Sequence, residues 1–121
     1  MGFIRGDKVV IDSYSFGNIV INGERYTSDV IIYPHRLDSH WWRLQGHLLQ
    51  LEDLQAVIDF SPELLIVGTG DSGLMKIAPE TERFFRESPI ELIVQRTADA
   101  CQTYNRLHGD KKTVAALHLT C

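Results

Sequence analysis

At 121 residues and 44% hydrophobic, the chain is the size of one ordinary domain and should bury roughly two-thirds of its unfolded surface. A formal charge of -4, from 16 acidic against 12 scattered basic residues, excludes the basic stripe that a nucleic-acid partner requires. Two cysteines are too few for a secreted disulfide framework, no apolar run approaches the roughly 20 residues that span a bilayer, and Met1 to Gly6 carries neither a signal-peptide core nor a myristoylation signal; the expected setting is cytoplasmic, without direct membrane insertion.

Val9 to Asp12 and Asn18 to Ile21 read as short strands, and Asn22-Gly23 supplies the two positive-φ residues of a type I′ hairpin turn. Asp29 to Tyr33 is a third strand, apolar enough for burial on both faces and stopped by Pro34, whose ring and missing donor block the ladder. Pro34 to Leu49 lacks periodicity and reads as a surface excursion. Leu51, Leu54, Val57 and Ile58 then recur at helical spacing, with Glu52 and Asp53 in the first turn, predicting a helix to Phe60 that Ser61-Pro62 ends. Glu63 to Val67 is a strand, Pro79 to Glu87 a helix with proline at its first position, and Ile90 to Gln95 a strand. Thr97 is expected to cap a helix running to about Leu107, and Val114 to Leu119 forms the last strand.

Helices alternating with apolar strands call for a sheet covered on both faces with right-handed crossovers. The predicted fold is therefore α/β: a three-layer single domain over residues 1–121, with a central mixed sheet and an N-terminal antiparallel hairpin.

Leu64-Leu65-Ile66-Val67 feeds Gly68-Thr69-Gly70-Asp71-Ser72-Gly73, a G-x-G-x-x-G spelling. A dinucleotide cradle needs a helix opening at the third glycine, and none starts convincingly before Pro79. Two readings remain open: a tight strand-to-helix turn, or a small-ligand cleft in which Gly68, Thr69 and Gly70 form an anion nest with Thr97, opposed by the Asp71 carboxylate. Lys76 and Arg96 stand near enough in sequence to add positive charge, although exposed cations at element ends are ordinary.

No nucleophile is paired with a base, so no catalytic residue is assigned. Cys101, one turn into its helix, shares a stripe with Ala98 and Asn105 and reads as a core thiol. The intervals between His35, His40 and His47 match no zinc signature, and no metal or cofactor is expected. Trp41-Trp42 is the better binding signal, because adjacent residues rarely both enter one core and tryptophan carries disproportionate interface energy. One ring should pack and the other stand exposed beside Arg43, forming a contact for a protein partner or a second copy of the chain.

Several segments also resemble one family together: Tyr14-Ser15-Phe16-Gly17, Ile21-Asn22-Gly23-Glu24-Arg25-Tyr26, Pro34 followed by the tryptophan pair, Pro62-Glu63-Leu64-Leu65-Ile66-Val67-Gly68-Thr69-Gly70, Thr97-Ala98-Asp99-Ala100-Cys101-Gln102-Thr103-Tyr104-Asn105, and Val114-Ala115-Ala116-Leu117. From about Ile11 to Leu119 the chain is similar to the Mth-type domain-of-unknown-function family, which includes the adipogenesis-associated Mth-domain protein and mitochondrial complex I assembly factor 3. The resemblance implies a compact three-layer α/β domain and roles in assembly or regulation through protein contacts. Two function classes follow: a non-enzymatic interaction or assembly-factor-like domain using Trp41, Trp42 and Arg43, linked by resemblance to respiratory complex assembly; or a small-molecule or anion-binding domain, or weak enzyme, using the Gly68 to Asp71 turn with Thr97.

Overall fold

The computed structural model describes residues 9–121; the Met1 to Gly6 opening lies outside them. Three antiparallel strands come first, β1 (Ile11–Ser15), β2 (Asn18–Ile21) and β3 (Glu24–Tyr26). The β2–β3 turn is the expected one, with Asn22 at φ 49 and Gly23 at φ 81. β1 starts two residues later than its apolar residues suggest, and its register shifts between Ile11 and Ser13.

The central sheet joins β4 (Val30–Tyr33), β5 (Arg36–Asp38), β7 (Leu64–Thr69), β9 (Glu91–Gln95) and β10 (Thr113–His118) in the order β5-β4-β10-β7-β9. β10 is parallel to β7, and β7 to β9, whereas β4 runs antiparallel to both β10 and β5. All residues of β4, β7 and β10 are buried, which is why these segments are apolar without alternation.

One face of this sheet packs Ile32, Ile66 and Leu117 against Ile19 of the first sheet and Ala100 and Tyr104 of α3 (Thr97–Leu107). The other packs Leu65, Val67 and Ala116 against Val57 of α1 (Gln55–Phe60) and Phe85 of α2 (Pro79–Arg86). This is the three-layer mixed architecture expected from the sequence.

The differences have local causes. The helix predicted over 51–60 divides into a 3-10 turn (Leu51–Leu54) and the six-residue α1, because Leu54 leaves helical geometry at φ -117 and Asp53 turns its carboxylate to the Gln50 amide at 2.8 Å. The excursion from Pro34 to Leu49 contains β5 and β6 (Leu48–Leu49), which pairs in parallel with β8 (Lys76–Ile77), and it buries Trp41 and Arg43. On α3 the buried stripe is Thr97, Ala100, Cys101 and Tyr104; Ala98 and Asn105 instead border β1.

Candidate functional site

β7, β9 and β10 run in one direction, so their carboxyl ends share one rim, with Thr69 opposite His118 and Gly68 opposite Gln95. Gly70 takes φ +109, open to glycine and strained for other residues. That path lets its amide donate to Thr97 Oγ1 at 2.8 Å, while the same hydroxyl donates to the His118 carbonyl at 2.6 Å. Gly68, Thr69, Gly70, Asp71 and Thr97 are thus gathered on one rim.

Thr97 is not the helix cap, however. Arg96 occupies that position, because the threonine hydroxyl is committed to tying β10 to the glycine turn.

The Gly70, Asp71 and Leu74 amides of the turn are satisfied from within the chain. The Asp71 amide donates to the Thr120 carbonyl at 2.6 Å and the Leu74 amide to the Cys121 carbonyl at 2.9 Å. Arg96 spends two guanidinium N–H groups on the Asp71 carbonyl, at 3.0 and 2.7 Å. The space where a Gly70 side chain would stand is taken by the Cys121 backbone and the His118 ring. Carbonyl oxygens of residues 120–121 therefore sit where the oxygens of an anion would. Burial, assisted by the nearby Asp71 carboxylate, pushes the Tyr14 phenol up to about 12.

Trp41, Trp42, Arg43 and Leu44 alternate in and out, at 7%, 73%, 9% and 54% exposure. Trp41 is fixed by its backbone amide donating to the Asp29 carbonyl at 2.9 Å and its indole N–H donating to the Asp53 carbonyl at 3.0 Å. The Leu44 amide donates to the Asp53 carboxylate at 3.0 Å. Trp42 and Leu44 are consequently displayed on a segment whose inward residues are anchored. Arg43, expected on the exposed patch, lies inside, because its guanidinium meets a partly buried acceptor.

That acceptor is Asp29. Its Oδ2 lies 2.8 Å from both Arg43 Nη1 and His118 Nδ1, and its Oδ1 accepts from the Leu119 amide at 2.8 Å. Arg43 is completed by the Gly46 carbonyl, 2.9 Å from Nη2, and its guanidinium lies 4.7 Å over the Trp41 ring. Burial by itself would raise the Asp29 pKa, but the hydrogen bonds from His118, Leu119 and Arg43 outweigh it and hold the carboxyl below its ordinary range.

A carboxylate only accepts, so His118 Nδ1 carries the proton facing it. The 3.1 Å approach of Arg43 Nη2 to that nitrogen is then a close contact and not a second hydrogen bond. His118 Nε2 is buried and has no hydrogen-bond partner among the described residues, and the His47 ring stands edge-on with its centroid 5.9 Å away.

Sequence reasoning passed over Asp29 and His118. Their only signal is a polar residue at each end of an otherwise apolar run, Asp29 before Val30 and His118 after Leu117.

Cys101 is buried, and burial pushes its thiol up to about 12, the behaviour of a packing residue. It borders a groove of about 230 Å³ between β1 and α3. Among the described residues, no group of three or more His, Cys, Asp or Glu side chains is arranged to hold a metal ion.

A mixed sheet clad on both faces, carrying an antiparallel three-stranded sheet at its start, defines the class as a three-layer mixed α/β domain. The chain belongs to the family described as "Protein of unknown function (DUF498/DUF598)", whose model matches residues 11–119. It is 31% identical over 109 residues to NADH dehydrogenase (ubiquinone) 1 alpha subcomplex assembly factor 3 of Xenopus tropicalis, covering 88% of this chain and 58% of that protein. It therefore spans less than two-thirds of that relative's length.

Among solved structures, a conserved hypothetical protein of Pyrococcus horikoshii superposes with a TM-score of 0.79 at 28% identity, covering 92% of this chain and 98% of that one. A Mth938-like domain of Bordetella pertussis gives 0.72 at 21% identity, covering 96% and 91%, and shows the shared fold.

Proposed function

We propose that this chain is a protein-binding domain of the assembly-factor kind, acting as one unit over residues 1–121 and presenting Trp42 and Leu44 to its partner. The observation that carries this reading is the alternation at 41–44, in which two anchored residues, Trp41 and Arg43, hold two large apolar side chains in solvent. An exposed tryptophan on a pre-ordered segment combines high contact energy with little ordering cost on binding. The relation to the Xenopus tropicalis factor supports a partner that is a component of an NADH dehydrogenase under assembly.

Both cysteines are free, which suits a reducing compartment such as the cytoplasm. Among the described residues, no helix is long and apolar enough to cross a membrane. In this reading the turn at Gly68, Thr69, Gly70 and Asp71, with Thr97, is structural, since its Gly70, Asp71 and Leu74 amides are spent on Thr97 and residues 120–121.

The test is affinity capture from native extract with wild type, Trp42→Ala and Trp42→Phe. Losing a hot-spot tryptophan costs about 2 kcal/mol or more, roughly a 30-fold drop in affinity. A specific partner should be lost with alanine and largely retained with phenylalanine. An identical set of captured proteins for all three forms would overturn the proposal.

A further inference from the structure

The strand edges of this molecule are treated unequally. At β1, Asn105 caps the edge: its Oδ1 accepts from the Ile11 amide at 3.0 Å and its Nδ2 donates to the Ile11 carbonyl at 2.7 Å. β3 and β5 are three residues long and carry charge, Glu24 and Arg25 on one, Arg36 and Asp38 on the other. Short length and charge are the usual devices that keep an edge from pairing.

β9, at the opposite margin of the central sheet from β5, is longer, and its charge is confined to its first residue, Glu91, which pairs with Lys111 at 2.8 Å. Its five residues centre on Leu92-Ile93-Val94, Val94 is 42% exposed, and beside it runs an open groove of about 560 Å³ bordered by Phe85, Arg86, Pro89 and Leu92.

The ladder decides which backbone groups are available. Glu91 donates its amide to Glu63 at 3.0 Å, toward β7. In a parallel ladder alternate residues face the same neighbour, so Ile93 and Gln95 also bond β7, and Leu92 and Val94 direct their N–H and C=O groups outward. No described residue pairs with those groups.

We propose that β9 is a homodimerisation edge: two copies of this chain join through antiparallel β9 strands about a two-fold axis passing at Ile93. In this register Leu92 faces the partner's Val94 and Val94 the partner's Leu92. Every outward donor and acceptor of the two residues is then satisfied, by two narrow hydrogen-bonded pairs that flank Ile93 against its own copy. Glu91 meets the partner's Gln95, a carboxylate against an amide, so no like charges oppose one another.

Centring the axis on Leu92 would set Val94 against the partner's Ile90, whose amide already donates to its own Ser88 Oγ at 3.1 Å. Centring it on Val94 would set Leu92 against the partner's Arg96, beyond the strand end. The strand is thus complementary to itself in one register, which selects a second copy over an unrelated peptide.

The experiment combines sedimentation equilibrium up to about 1 mM with cross-linking. Wild type should show a concentration-dependent mass rising toward twice 13.8 kDa. Val94→Pro removes only an outward amide and should stay folded by circular dichroism but remain monomeric; Val94→Lys, which places charge on the edge, should do the same if proline disturbs the strand.

In a Cys121→Ser background, Ile93→Cys places two thiols at a non-hydrogen-bonded antiparallel pair, where Cα atoms lie about 4.5 Å apart and a disulfide is feasible. It should oxidise to a covalent dimer at least tenfold faster than Trp42→Cys, a more exposed control elsewhere. A wild type that is monomeric at the highest concentration overturns the proposal. So does a dimer unchanged in both Val94 variants, or cross-linking of Ile93→Cys no faster than the control. The Trp42 face plays no part, so either proposal can fail alone.

Discussion

Replacing Asp29 by alanine tests the physical argument most directly. The carboxylate, whose side chain is 16% exposed, receives bonds from Arg43, His118 and the Leu119 amide, all at 2.8 Å. Its loss leaves the Arg43 side chain, 5% exposed, without its carboxylate, held by the Gly46 carbonyl, the Trp41 ring and the neighbouring His118 ring. Breaking a buried ion pair from one side costs about 3–5 kcal/mol, mostly from the stranded charge. Against a total stability of about 5–15 kcal/mol this is a large fraction, and at about 3–5 °C per kcal/mol it lowers Tm by roughly 10–20 °C. Urea unfolding followed by tryptophan fluorescence measures the loss. The stranded-charge argument also requires that Asp29→Leu with Arg43→Met recover most of it, because neither charge then remains buried. A loss below about 1 kcal/mol for alanine, or no recovery in the double variant, would refute the reasoning.

The lowered Asp29 pKa has a pH consequence: its contribution is fully present above the ordinary aspartate value near 4 and is lost as pH falls through the lower folded value, so wild type should lose Tm more steeply than Asp29→Asn below about pH 4 in calorimetric scans. Gly70→Ala combines positive φ with a methyl group driven into the Cys121 backbone and His118; a loss of about 2–5 kcal/mol is expected in chemical denaturation, partly relieved in a chain lacking Thr120 and Cys121. Trp41→Ala should cost about 3–5 kcal/mol and Trp42→Ala under about 0.5, since one ring is buried and the other solvated; equal losses would contradict the alternation. With a thiol reagent near pH 8, Cys121 should react rapidly and Cys101 only after denaturation, because burial keeps the latter protonated as well as covered.

What could be read from the chain depended on the range of the interaction that fixes each feature. Asn22-Gly23 specifies its turn through its own backbone preferences, and the unbroken apolar runs of β4, β7 and β10 announce burial on both faces. The glycine turn was legible as a close approach of backbones, but what approaches was not: its occupants, the carbonyls of residues 120–121, lie 49 and 47 positions away from Asp71 and Leu74. Splitting Trp41 from Trp42 needed only the alternation of an extended chain, whereas the inward turn of Arg43 depends on Asp29, 14 residues earlier. Asp29 meets His118 across 89 residues, a pairing no periodicity encodes. Thr97 shows the same limit, since local preference makes it a cap and a tertiary contact claims its hydroxyl.

The position of β10 has a consequence for biosynthesis. The sheet's middle strand comes from residues 113–118, between β4 and β7, which are not bonded to each other. As the polypeptide emerges during translation, both neighbours must wait with an open, apolar margin until that segment is released. The sheet therefore closes as a late insertion, and the nascent molecule is most exposed to misassociation just before it.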